Sequence, residues 1–141
     1  MLEKELQAEE ANVDIDDVQK QIKDLIETND IVVYSKSYCP YCRQAKMMLK
    51  SIPGVDGSDR YKVIEMDDGK HLGWQTQVSE IAKAYQNCDT GGNCEHNNTR
   101  SVPQIFIHQQ YVGGADDLTD LYTSGKIFTM LKTGIASETQ N

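Results

Sequence analysis

Apolar residues recur at helical spacing through residues 14–27, where Ile15, Val18, Ile22, Leu25 and Ile26 share one face. Asp14, Asp16 and Asp17 load the start of that segment with the negative charge that a helix dipole favours, and Asn29-Asp30 ends it. The period then changes, and the continuous apolar run Ile31-Val32-Val33-Tyr34 predicts a buried strand. A helix is predicted next, from about 39 to 50, turning Ala45, Met48 and Leu49 inward and stopping near Ile52-Pro53-Gly54. Residues 61–66 predict a second strand, followed by a polar turn at Asp67-Asp68-Gly69. Trp74, Val78, Ile81, Ala82 and Tyr85 mark the inner face of a helix over about 73–86. Residues 87–100 have no periodicity and are dense in Gly, Asn and Thr, which predicts a loop. Two short strands at 102–107 and 110–112, joined by a tight turn, precede Gly113-Gly114 and a last helical region over 116–131. Strand, helix, strand, then helix, hairpin and helix imply an α/β domain with one mixed sheet and helices on both faces. The domain is expected over 14–135, between an acidic extension at 1–13 that is too poor in apolar residues to order itself and a tail at 136–141.

Charge narrows the partners. The 141 residues carry 22 acidic against 14 basic side chains, a formal net charge of −8, with no basic run and no interleaving of aromatic and basic residues. Nucleic acid is not an expected partner of such a surface. No apolar stretch approaches the roughly 20 residues that cross a bilayer, so no membrane partner is expected either. Met1-Leu2-Glu3-Lys4-Glu5 lacks the apolar segment of a signal peptide and is too acidic for a transit peptide. These features predict a cytoplasmic protein, a compartment where stable structural disulfides are rare, and they give a CxxC pair a catalytic or metal-binding meaning. Nothing in the pattern suggests more than a monomer.

That pair is Cys39-Pro40-Tyr41-Cys42, placed where the first strand turns into a helix. Proline suits the first helical position, where its missing N–H would have had no partner. Cys39 then falls at or near the N-cap, close to unsatisfied amides and the positive end of the dipole, which favour thiolate over thiol. The thiolate is the nucleophile. Cys42 lies one helical turn further in, close enough to close a disulfide and less exposed, so Cys39 is expected to attack and Cys42 to resolve.

Four separated motifs share one likeness. Lys36-Ser37-Tyr38-Cys39-Pro40-Tyr41-Cys42 resembles the active-site segment of the dithiol glutaredoxins, and Ser101-Val102-Pro103 resembles their Thr-Val-Pro turn. Gly113-Gly114-Ala115-Asp116-Asp117-Leu118 is similar to their Gly-Gly-x-Ser/Asp-Asp-Leu signature, and Trp74-Gln75-Thr76-Gln77-Val78 is loosely similar to a helix start that supplies a glutamine. The resemblance runs over about 31–134 and implies a thioredoxin fold: a four-stranded mixed sheet flanked by helices, here with an extra N-terminal helix and an insertion before a cis-proline strand. It implies glutathione as cosubstrate, with protein mixed disulfides or disulfides as clients. Glutathione carries two carboxylates and an ammonium. Lys36 offers a charge for one carboxylate, Gln75 a hydrogen bond, and Tyr41 a wall of the groove. By the resemblance, a cis Val102–Pro103 bond presents the backbone of Val102 to the ligand's cysteine. Gly113 and Gly114 permit a tight turn into a helix whose N-terminal amides can take the second carboxylate, with Asp117 on the ammonium and Asp116 lending its amide.

Other readings of the same residues stand beside this one. A CxxC can be half of a zinc site, and Cys39 from two chains with two glutathiones can hold a [2Fe–2S] cluster, although family members noted for clusters usually carry a smaller residue at the place of Pro40. A reductase served by a flavoenzyme would ordinarily carry Gly-Pro between the cysteines and a preceding Trp. About a dozen residues are inserted at 87–100, where Cys88, Cys94 and His96 fit an inert insertion, a second thiol pair or a metal loop; three ligands without a fourth fall short of a zinc site. No metal is expected.

Overall fold

The computed structural model describes residues 14–86 and 99–133. In it α1 (Ile15–Thr28) leads into β1 (Ile31–Ser35), α2 (Pro40–Lys50), β2 (Tyr61–Glu65), a single 3-10 turn (Gly69–His71) and α3 (Trp74–Tyr85). The hairpin β3 (Gln104–Ile107) and β4 (Gln110–Gly113) follows, then α4 (Ala115–Ser124) and α5 (Lys126–Thr133). The acidic extension, residues Cys88, Cys94 and His96 of the insertion, and the tail lie outside the described residues.

The unbroken apolar run of β1 has a structural reason. The sheet order is β2-β1-β3-β4, so β1 is internal, parallel to β2 and antiparallel to β3, and both its faces are covered. Alternate residues of a strand point to opposite faces. Val32 and Tyr34, with Phe106 of β3, pack against Val18, Ile22 and Ile26 of α1 and Trp74, Val78 and Ile81 of α3. Ile31 and Val33, with Ile105 and Ile107, pack against Ala45 and Leu49 of α2, Leu118 of α4 and Ile127 of α5. Tyr34 is fully buried and donates its hydroxyl to the carbonyl of Ile22 at 2.8 Å, tying β1 to α1. That burial pushes its pKa above the ordinary tyrosine value. Two core layers on one four-stranded mixed sheet are the architecture the motifs implied.

The structure differs from the pattern reading in three places. The last helical region is two helices, because Gly125 takes φ +82° and its N–H bonds the carbonyl of Tyr122 at 3.1 Å, closing α4 before α5 begins. β3 begins at Gln104 rather than 102, since the Val102–Pro103 peptide is cis and turns the chain ahead of the ladder. Ile15, read as inward, is 52% exposed at the open first turn of α1, where Asp14 caps by accepting from the amide of Asp17 at 3.2 Å. The β3–β4 turn is as tight as expected, with His108 and Gln109 both at positive φ (45° and 66°), the twist a two-residue hairpin favours.

Candidate active site

The loop between β1 and α2 is fastened before it reaches the cysteines. Ser37 donates its amide to Asp67 Oδ1 at 3.0 Å, and its hydroxyl to Oδ2, linking the loop to the end of β2. Those two donors, with a smaller contribution from the Lys36 ammonium, hold the Asp67 carboxyl below its usual range. Cys39 then takes an extended N-cap conformation (φ −86°, ψ 122°) with Pro40 opening the helix, as the motif required.

The two thiols are free and differently placed: Cys39 is partly exposed and Cys42 has no exposed surface. Burial works against the Cys39 thiolate, but it is outweighed by the amide of Cys42, the thiol of Cys42, the amide of Tyr41 and the charge of Arg43, so its pKa is lowered. At Cys42, by contrast, burial prevails and raises its pKa, with the neighbouring Cys39 adding to the rise. The Lys36 amide, which donates to Cys42 Sγ at 3.5 Å, and the hydroxyl of Ser35 only partly offset it. Attacker and resolver are therefore distinguished by position in one helical turn.

Across from Cys39 lies the cis turn, with the carbonyl oxygen of Val102 3.9 Å from Cys39 Sγ. Gln104, buried at the start of β3, braces this turn by donating Nε2 to the carbonyl of Ser101 at 2.8 Å, while its Oε1 accepts from the Tyr111 hydroxyl. Asp117 folds back to accept from the amide of Gly114 at 3.1 Å, capping α4. Gly113 sits at φ +115°, and a Cβ there would meet the Asp117 side chain. Burial, and then the charge of Asp117, push the Tyr111 hydroxyl up to about 12.

The residues singled out in the sequence fall as follows. Cys39, Cys42, Lys36, Val102 and Pro103 come together at one edge of the domain, and Tyr41 is 61% exposed beside them. Gly113, Gly114 and Asp117 form the adjoining turn, with Asp116 exposed on the first turn of α4. Gln75 stands behind the cis turn and commits one amide hydrogen to the carbonyl of Arg100 at 2.9 Å, bracing the backbone there. A ligand contact from Gln75 would have to use its remaining N–H or its oxygen. Sequence reasoning passed over Arg43, Gln104 and Tyr111. It also passed over Ser35, Glu65 and Lys46, joined behind Cys42 by hydrogen bonds of 2.7 Å from Ser35 Oγ to Glu65 Oε1 and from Lys46 Nζ to Glu65 Oε2. A serine closing an otherwise apolar strand was the one available signal.

Comparison with known proteins places this arrangement. The glutaredoxin family model matches residues 31–112, more than half of the chain, taking in the dithiol turn and Val102-Pro103. Glutaredoxin-C8 of Oryza sativa subsp. japonica is 31% identical over 119 residues, 83% of this chain and 74% of the relative. Glutaredoxin-1 of Saccharomyces cerevisiae (strain ATCC 204508 / S288c) is 34% identical over 118 residues, 84% of this chain and 94% of the relative. A solved structure, a buckwheat glutaredoxin–glutathione complex, superposes with a TM-score of 0.65 at 26% identity, covering 85% of this chain and 92% of that one. A sheet with this order, a dithiol at the start of α2 and relatives of this closeness leave one assignment: the chain belongs to the glutaredoxin family.

Proposed function

We propose that this protein is a glutathione-dependent thiol–disulfide oxidoreductase working by two routes that share Cys39. The observation that carries the reading is the pairing of a partly exposed, low-pKa Cys39 with a buried, high-pKa Cys42 one turn away. On the monothiol route the Cys39 thiolate attacks the glutathione sulfur of a protein–glutathione mixed disulfide. The Cys39–glutathione disulfide forms, and the protein sulfur leaves with the electron pair. A second glutathione thiolate then attacks that disulfide, freeing Cys39 and releasing oxidised glutathione. On the dithiol route Cys39 attacks a protein disulfide, Cys42 displaces the client from the mixed disulfide, and two glutathiones re-reduce the Cys39–Cys42 bond. A low pKa serves Cys39 twice, as attacking thiolate and as leaving group.

The charges around Cys39 suit glutathione. Lys36 stands ready for one carboxylate, the Val102 carbonyl faces the sulfur, and the N-terminus of α4 suits the second carboxylate, with Asp117 for the ammonium. The buckwheat relative is a complex with glutathione, which supports carrying the ligand over. Glutaredoxin potentials of about −200 to −230 mV lie close to a glutathione-buffered cytosol, so we place the protein in such a compartment, acting as a monomer on protein clients in either direction. The test is glutathione-dependent reduction of a small mixed disulfide. Cys39→Ser is expected to abolish it, while Cys42→Ser keeps it and loses most reduction of protein disulfides. Activity surviving in Cys39→Ser, or absent from wild type with glutathione, would overturn the reading.

A further inference from the structure

One residue of the loop before α2 bonds both cysteines through its backbone. Lys36 donates its amide to Cys42 Sγ at 3.5 Å, and its carbonyl accepts from the amide of Cys39 at 3.1 Å. The first of these bonds bears on the dithiol route. Cys42 is buried and held as a thiol by that burial, yet only its thiolate attacks a disulfide. An amide aimed at the sulfur favours the charged form. The bond lasts only while Lys36 stays where it is, between two fastened neighbours. On one side Ser35 closes β1, and its carbonyl accepts from the amide of Met66 at 2.7 Å. On the other side Ser37 is exposed and past the end of the ladder. It is fastened by Asp67, which accepts the Ser37 amide on Oδ1 at 3.0 Å and the Ser37 hydroxyl on Oδ2. The parallel register pairs Ser35 with Glu65, so the residues two places beyond each strand are the ones that meet. Two donors on the two oxygens of one carboxylate fix direction as well as distance.

We propose that Asp67 is a positioning residue for the resolving step: through Ser37 it holds the Lys36 amide on Cys42 Sγ as Cys42 attacks the mixed disulfide on Cys39. The inference rests on the dithiol route above. In that step the Cys42 proton goes to solvent, and the electron pair left on the sulfur forms the Cys39–Cys42 bond. The bond between Cys39 and the client breaks, and its electron pair leaves with the client sulfur. Asp67 touches none of the reacting atoms and acts through the backbone of Ser37 and Lys36. Its charge and its position pull in opposite directions. A carboxylate near the dithiol disfavours a further anion, so removing the charge alone would ease ionisation of Cys42 and speed the step. The Lys36 ammonium, released from its neighbouring carboxylate, would act in the same direction. Removing the clamp predicts the reverse, because the Lys36 amide then leaves the sulfur. The other charges acting on the thiols, Arg43 on Cys39 and Cys39 on Cys42, are untouched by a change at Asp67. The sign of the effect therefore separates position from charge.

The test is single-turnover reaction of the reduced protein with 5,5′-dithiobis(2-nitrobenzoate), in a Cys88→Ser/Cys94→Ser background so that only Cys39 and Cys42 respond. A first thionitrobenzoate reports attack by Cys39, and a second reports displacement by Cys42. Asp67→Ala is expected to slow the second release relative to the first by about 10-fold at neutral pH, the scale of one hydrogen bond to a charged atom. Ser37→Ala, which keeps the amide but loses the hydroxyl, should slow it less, and the double variant should be no slower than Asp67→Ala alone. Ser37→Thr keeps both donors and should keep the wild-type ratio. The deficit in Asp67→Ala should shrink as pH rises, because the Cys42 thiolate then forms without the amide. The proposal is overturned if Asp67→Ala keeps the wild-type ratio or speeds the second release, if the two alanine variants add in full, if threonine at 37 is as slow as Asp67→Ala, or if the deficit is independent of pH. A wild type that gives no second release would instead sink the dithiol route itself, so the two failures are distinguishable.

Discussion

Replacing Gly113 by alanine tests the turn that links β4 to α4. At φ +115° an L side chain is disfavoured, and holding one there costs about 1–3 kcal/mol. The added Cβ would also stand 2.8 Å from Cγ of Asp117 and 3.1 Å from its Cβ, inside normal contact, so the carboxylate must swing away. With it goes the 3.1 Å hydrogen bond to the amide of Gly114 that caps α4, a loss of about 1 kcal/mol. The expected total is about 2–4 kcal/mol, read as a lower urea midpoint at unchanged slope. A double-mutant cycle separates the parts. In an Asp117→Ala background the capping share has already gone, so Gly113→Ala should cost about 1 kcal/mol less than in wild type. If Asp117 also receives the ammonium of glutathione, both single variants raise the KM for glutathione. A Gly113→Ala protein within about 0.5 kcal/mol of wild type would refute the backbone argument, since that is the range of ordinary surface substitutions. Full additivity in the cycle would refute the displaced carboxylate.

Three other perturbations probe the thiol, the core and the hairpin. The rate of alkylation of Cys39 by iodoacetamide should rise with pH and level off below the ordinary cysteine range, and Arg43→Ala should move that inflection upward; an unmoved inflection would remove Arg43 from the electrostatics of the site. Tyr34→Phe deletes the 2.8 Å bond to the Ile22 carbonyl inside the core and should cost about 1 kcal/mol by urea denaturation, with no effect on either thiol. Gln109→Gly relieves a positive φ of 66° at the second turn position of the β3–β4 hairpin; a gain of up to about 1 kcal/mol would raise the melting temperature by about 2–4 °C, and a fall in calorimetry would count against that turn assignment.

Much of the fold could be read from β1. A five-residue strand without alternation has to be internal with both faces covered, and once it is central the helical stripes of α1, α2 and α3 have only its two faces to cover. The dithiol turn was equally legible, because strand, cysteine, proline and helix are contiguous and local physics sets their geometry. Gly125 was read over, because the apolar periodicity of α4 resumes in α5 and a single glycine inside a helical pattern is an ambiguous stop signal. Gln104 was hidden by its setting, a polar residue inside a short apolar strand whose partners, Ser101 and Tyr111, are settled only by the cis turn and the hairpin. Ser35, Glu65 and Lys46 were beyond reach for a different reason. Each is unremarked by itself, and they meet only through the parallel register of two strands separated by α2.

That register also explains how one turn of helix keeps two thiols in opposite states. If Cys39 and Cys42 were equally acidic, two thiolates would face each other across one turn, and the enzyme would hold charge where it needs a neutral resolver. Burial raises Cys42 first, and the charge of Cys39 raises it further. Once Cys39 is locked in a mixed disulfide its charge is gone, so one of the two causes that keep Cys42 protonated disappears at the moment Cys42 is needed. The remaining one, burial, is met by the Lys36 amide, which donates to the sulfur at 3.5 Å, next to Ser35, whose hydroxyl donates to Glu65. Neither reaches a CxxC turn by chance. Both belong to the stretch where β1 ends, and β1 ends there in the register that sets Ser35 against Glu65. The timing of the second thiol is thus a property of the sheet beneath the helix as much as of the motif on it.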